Sequence, residues 1–161
     1  MRLLMKLVAP LIFWLAYGLF RSKLLRSSRR KHDWVMKLFR FAADNDNRRA
    51  LSVYGHLLHF RGDGIANRIQ GALYLERAAD KGDAKACYQM GRICEQGFEH
   101  RFPSDAVRAL HYYRRAAELK HPLALRRLID VYRDGELGQT PDSAEVARWE
   151  AKIEPVAVAS A

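Results

Sequence analysis

The sequence predicts an all-α fold: an α-solenoid of about three stacked helix pairs, preceded by an apolar N-terminal helix and a basic amphipathic helix. Three observations carry that prediction. Two motifs recur together at a near-constant offset through the later part of the chain. An unbroken apolar run lies near the start. Charge is divided unevenly between these two parts.

Residues 3–20, LLMKLVAPLIFWLAYGLF, contain one charge, Lys6. As a helix, such a segment spans roughly 27 Å, slightly less than the ~30 Å hydrocarbon core of a bilayer. Leu7, Leu11, Phe13, Trp14, Leu15, Tyr17 and Phe20 are the expected membrane-anchor residues, with Trp14 and Tyr17 as interfacial aromatics. Lys6 lies one turn inside the end, within snorkelling reach of the interface. Pro10 is tolerated in a membrane helix. A transmembrane or signal-anchor helix is the leading reading. A cleaved signal peptide is disfavoured, because Arg21, Ser22 and Lys23 stand where a small-x-small cleavage site belongs. An interfacial anchor, or a helix packed on the rest of the protein, is the third.

The charge pattern points the same way. The formal net charge is +10, and residues 1–50 hold twelve Lys/Arg against three Asp/Glu. Residues 51–161 are nearly balanced, at sixteen against fifteen. Residues 21–31, RSKLLRSSRRK, carry six basic groups and no acid. The positive-inside rule then places the body on the cytoplasmic side, as a single-pass inner-membrane protein. A membrane surface or a nucleic acid is the partner class such a segment suggests. A second helix is expected over about residues 33–44. Asp33 is its N-cap, and Trp34, Val35, Leu38, Phe41 and Ala42 share one face. That stripe caps the first exposed face of the array. The expected divisions are 1–31 as anchor with basic flank, 32–46 as capping helix, 47–153 as repeat domain and 154–161 as tail.

Self-similarity is the strongest signal. Ala50-x-x-x-Tyr54-Gly55-x-x-Leu58 recurs as Ala86-x-x-x-Met90-Gly91-x-x-Cys94, and in degraded form as Ala124-x-x-x-Leu128-Ile129-x-x-Tyr132. Gly71-x-x-Tyr74-Leu75-x-x-Ala78-Ala79 recurs as Ala109-x-x-Tyr112-Tyr113-x-x-Ala116-Ala117. Gly62-Asp63-Gly64, Gly97, and Gly135 with Gly138 mark the turns. Each repeat reads as two antiparallel helices, A and B. Gly and Ala positions allow close approach, and Tyr, Leu and Met positions fill the space between. Ser104 is expected to cap a helix beginning at Asp105. Thr140 with Pro141 is expected to open the last one.

At these residues the chain resembles the Sel1-like repeat family, a relative of the tetratricopeptide repeats. The family pattern runs A-x-x-x-L-G-x-x-Y-x-x-G, a loop, then A-x-x-W-Y-x-x-A-A-x-x-G-x-x-x-A. Ala78-Ala79-x-x-Gly82-x-x-x-Ala86 closes the first repeat in full. The second repeat has Lys120 in place of that glycine, and the third loses the pattern after Gly135. The resemblance covers about residues 48–153. It implies an array that holds proteins together, in bacterial envelope assembly or signalling, and it implies no catalysis. In such arrays helix A lines a concave groove. Arg49, His56, Gln89, Arg92, Arg127 and Asp130 are therefore the expected contacts for a protein or peptide, with Arg92 and Arg127 foremost.

The remaining motifs carry little chemistry. His56 and His59 stand at metal-compatible spacing, but no Cys, Asp or Glu near them in sequence completes a ligand set. Cys87 and Cys94 lie roughly 10 Å apart along one helix, too far for a disulfide, and read as core residues. Arg61-Gly62-Asp63 falls in an A-to-B turn. No Ser/His/Asp or paired-carboxylate arrangement stands out, so no catalytic residue, metal or cofactor is expected. The leading function is a membrane-tethered protein-interaction scaffold. The alternative is a nucleic-acid-binding helical repeat that uses the basic 21–49 region, disfavoured because the repeat body has no basic stripe of its own.

Overall fold

The computed structural model describes residues 2–22 and 29–153. Most of the expected basic flank (23–28) and the expected C-terminal tail (154–161) lie outside the described residues. Among the described residues, eight helices follow in order: α1 (Arg2–Arg21), α2 (Arg29–Asp44), α3 (Arg48–Arg61), α4 (Gly64–Asp80), α5 (Ala84–Gln96), α6 (Ala106–Glu118), α7 (Pro122–Asp134) and α8 (Ser143–Glu150). Among the described residues there is no strand beyond a single bridge between Phe98 and Phe102. The all-α class is the expected one. The helices gather into two compact units, Met1–Ala86 and Cys87–Ala161.

In the first unit, α3 and α4 form the first repeat pair. Asn47 caps α3 by accepting from the Ala50 amide at 2.9 Å, which satisfies one of the donors a helix start leaves free. The two helices touch backbone to backbone. A methyl at Gly71 would lie 2.3 Å from the His59 nitrogen and 2.8 Å from the Gly55 oxygen. A methyl at Gly55 would lie 2.9 Å from the Gly71 oxygen. Beside this contact the Tyr54 and Tyr74 rings meet edge to face, with centroids 5.1 Å apart. The Tyr74 hydroxyl donates to Asp44 at 2.5 Å. Burial, then that hydrogen bond, pushes the Tyr74 phenol up to about 12.

The basic amphipathic helix α2 begins at Arg29, so Asp33 is not its N-cap but sits one turn inside it. Its buried face is Val35, Phe39, Ala42 and Ala43, whereas Trp34 is 66% exposed. The face differs from the expected stripe because α1 selects it. Phe13 and Phe20 of α1 both pack on Phe39, at centroid distances of 5.9 and 6.0 Å. Trp34 instead lies beneath the Lys37 ammonium, 5.6 Å away. Lys6 of α1 pairs with Asp46 at 3.5 Å. Asp46 also meets Arg77 and Lys81, and the Arg77 hydrogen bond leads in holding its carboxyl below the usual range.

In the second unit, Gly91 faces the Tyr113 ring, 2.6 Å from where a methyl would stand. Cys87 and Cys94 are both buried in the core. Asp105, not Ser104, caps α6, accepting from the Arg108 amide at 2.9 Å. The Ser104 hydroxyl donates instead to the Glu95 carbonyl. Asp142, not Thr140, caps α8. The reason is a longer turn: α7 ends at Gly135 in the left-handed region, and Pro141 folds back to within 2.8 Å of the position a Gly135 methyl would occupy. Trp149 is buried and its indole nitrogen donates to Glu145 at 3.0 Å.

Lys120 explains how the second repeat departs from the pattern without breaking. Gly82 takes φ +76°, and Lys120, 38 residues on, takes φ +60°. The backbone conformation persists although the glycine is gone. A non-glycine residue there costs ~1–2 kcal/mol, against ~0.5–1 kcal/mol for the freedom glycine brings to the unfolded chain. Lys120→Gly should therefore raise stability by up to about 1 kcal/mol, read as a higher Tm. Gly71→Ala should have the opposite sign and cost ~3 kcal/mol or more, because backbone cannot rotate aside as a side chain does. Gly18→Ala, where nothing lies within 4 Å of the added methyl, serves as control and should leave Tm unchanged or slightly raised. Equal melting curves for Gly71→Ala and the parent would disprove the close contact.

Candidate partner-binding site

The helix-A residues expected at a groove are placed differently in the two units. In the first, α3 turns Arg49, Ser52, Val53 and His56 toward α1. Between them lies a cleft of about 330 Å³, bounded by Phe13, Trp14 and Tyr17 on one side and by Arg49, Ser52 and Val53 on the other, with Asp83 and Lys85 at its edge. A second hollow of about 290 Å³ shares Tyr17, Ser52, Val53 and Lys85 with it, and adds Phe20, His56, Leu57 and Arg61. The walls are thus largely aromatic and aliphatic, and the rim carries the cations Arg49, Lys85 and Arg61 beside the Asp83 carboxylate.

Each polar group has a definite role. The Arg49 guanidinium sits over the Trp14 ring, 5.2 Å from its centroid, a cation–π contact that fixes both side chains. Ser52 is buried and its hydroxyl donates to Asp83 at 2.9 Å. Asp83 also accepts from the Ala86 amide at 2.9 Å, so it caps α5. His56 packs against Phe60 at 4.7 Å. Burial, then the Lys85, Arg61 and His59 charges, lowers its pKa, so the ring is neutral at pH 7. Its Nδ1 is buried without a hydrogen-bond partner. The neighbouring His59 donates its Nδ1 proton to the Arg68 carbonyl at 2.9 Å. Among the described residues no cluster of His, Cys, Asp and Glu is arranged to hold a metal.

In the second unit the expected contacts divide. Gln89 is only 8% exposed, so it does not lie on a solvated stripe as its spacing suggested. Its Oε1 is buried with no partner. Arg127 is held by two carboxylates, Glu95 and Glu136, and Glu95 also accepts from the Tyr113 hydroxyl at 2.5 Å. The arginine is thus a structural cation, and reversing its charge would disturb folding as well as any partner. Asp130 pairs with Arg133 at 3.2 Å. Arg92 is partly exposed and helps hold the Glu95 carboxylate ionised.

The anchor residues also divide. Leu7, Leu11, Trp14 and Leu15 are exposed, Phe13 is buried in the first unit, Tyr17 is half-buried, and Phe20 is partly exposed against α2. The contribution of Trp14 and Tyr17 to the same cleft as Arg49 was not apparent from sequence. The one available hint was the pairing of aromatic and basic types in segments far apart in the chain.

Burial raises the Glu95 carboxyl, but the hydrogen bonds from Arg127 and Tyr113 and the charges of Arg127 and Arg92 outweigh it, and its pKa lies below 4.5. The stabilisation it gives is fully present above the unfolded value of 4.5 and is lost as the pH falls through the lowered one. Glu95→Gln should therefore lower Tm at pH 7. Its deficit against the parent should shrink as the pH drops below 4.5, and Tm measured from pH 7 to pH 3 checks this.

Comparison with known proteins agrees with this architecture. The Sel1 repeat family matches residues 49–83 and 84–121. A Sel1 repeat protein from Oxalobacter formigenes is similar in structure at a TM-score of 0.72 and 22% identity, over 89% of this chain and 56% of that one. A protective antigen of uropathogenic Escherichia coli strains with an SLR fold is similar at 0.73 and 21%, over 88% of this chain and 29% of that one. The chain thus spans about half or less of the length of these proteins. Sel1 repeat proteins are in general non-catalytic helical scaffolds that bind other proteins.

Proposed function

Because the chain is built around two Sel1 repeats, residues 49–83 and 84–121, we propose that it is a membrane-tethered scaffold that holds another polypeptide. Residues 3–20 bind it to the bilayer. The excess of Lys and Arg after α1 favours the cytoplasmic face for the repeats. The repeat domain, residues 47–153, does the binding together with the face of α1 that borders the cleft.

The observation that carries this reading is the cleft of the first unit. Aromatic walls whose rim carries Arg49 and Lys85, with the Asp83 carboxylate already engaged by Ser52 and the Ala86 amide, suit an apolar side chain flanked by acidic groups, the arrangement of an anchored peptide contact. Arg49 and Lys85 meet the acids. Considered by itself, the second unit offers Arg92 and Asp130 as candidate contacts of both signs, beside Gln89 and Arg127. Concentrating both partners at the membrane raises the effective concentration, so a modest affinity suffices.

A nucleic-acid partner has weaker support. The basic excess is confined to residues 1–50, and Lys6 is already paired with Asp46. Arg49→Glu with Lys85→Glu should abolish co-purification of protein partners from solubilised membranes, with little change in the melting curve. Retention of those partners by the double variant would sink the cleft assignment. RNA binding with a steep salt dependence would favour the nucleic-acid reading instead.

A further inference from the structure

The outward face of α1 has no cover in the first unit. Leu4, Leu7, Leu11 and Leu15 succeed one another three or four residues apart, and are 68%, 70%, 71% and 58% exposed. Val8, Trp14 and Leu19 flank them and are exposed too. The opposite side of the same helix, Ala9, Phe13 and Ala16, is buried. A helix on the surface of a water-soluble unit turns a polar face outward. This one is apolar on both sides: one packs on protein, and the other is a continuous leucine stripe.

We infer that α1 lies flat in the surface of an anionic bilayer, with the leucine stripe among the acyl chains and the Phe13 face still docked on α2. This rests on the tether reading above and chooses how the tether is made. Length does not choose, since twenty helical residues reach ~30 Å and suffice to cross. The contacts of the opposite face do. A crossing helix must leave α2 and strip Phe39, which packs against Phe13 and Phe20. It must also part Lys6 from Asp46 and Trp14 from Arg49. Lying flat keeps every one of these. An in-plane helix sinks its apolar face only ~5–10 Å into the headgroup and acyl boundary, a depth the leucine side chains reach while the helix stays on α2.

Charge selects lipid over a second copy of the chain as the cover. Residues 1–31 contain eight Lys/Arg and no acid, and the first acid is Asp33. Two such segments repel each other, whereas an anionic surface attracts both.

The test uses the full chain in a Cys87→Ala, Cys94→Ala background, with one cysteine introduced at either end of α1 by Arg2→Cys or Arg21→Cys. Sealed inside-out and right-side-out vesicles from expressing cells are treated with a membrane-impermeant maleimide. Both cysteines should react in the same vesicle orientation. Purified chain should also float with vesicles containing phosphatidylglycerol at least ten-fold more than with phosphatidylcholine alone. Leu7→Glu with Leu11→Glu should lose that flotation at an unchanged Tm. Reaction of the two ends in opposite orientations would mean that α1 crosses, overturning the flat arrangement while the tether stands. Absence from every membrane fraction would overturn both. A stable dimer that stays off vesicles would assign the stripe to a second copy and equally overturn the inference.

Discussion

The backbone contact between Gly55 and Gly71 sets the geometry on which the first unit depends. With hydrogens as the only side chains there, α3 and α4 lie against each other with carbonyl and amide atoms in touch. Larger residues can then do their work at the margins, where the Tyr54 and Tyr74 rings meet. Tyr74 in turn reaches Asp44 at the end of α2. The face of α3 that remains, with Arg49, Ser52, Val53 and His56, is left for α1, and the cleft between α1 and α3 follows. In the second unit the corresponding glycine, Gly91, accommodates a tyrosine ring rather than a backbone. One motif position therefore serves two packing solutions, and only the glycine–glycine version leaves nothing able to move aside.

Much of the fold was readable because the recurring positions are the buried ones. Ala50, Tyr54, Ala78 and Ala79 in the first repeat, and Ala86, Met90, Ala116 and Ala117 in the second, all fall in the core. Helix starts were less readable. Ser104 and Asp105 are adjacent cap residues, as are Asp142 and Ser143, with Thr140 close by, and local chemistry does not choose among neighbours. Packing does, through Pro141 folding onto Gly135 and through Phe13 drawing Phe39 inward on α2. The same limit applied to the site. Arg49 and His56 announced themselves by spacing. The bond from Arg127 to Glu95 spans 32 residues, and periodicity within one helix carries no information about such a partner.

The acidic residues near the first unit's helix ends deserve comparison with the cations they hold. Asp46 gathers Lys6, Arg77 and Lys81 although it is itself partly exposed. Exposed pairs of this kind add little stability one at a time. Their effect here is positional. They join α1 and α4 at a loop residue with φ +66°, so the start of the apolar helix is located by charge and its middle by aromatic packing.

The docked face of α1 also bears on how the protein is made. Val35 and Phe39, which lie on the face of α2 that meets α1, are translated after the helix they shield. During synthesis, then, α1 is made before the residues that bury its Phe13 face. The order of residues along the chain therefore leaves the Phe13 face of α1 unshielded until Val35 and Phe39 have been made.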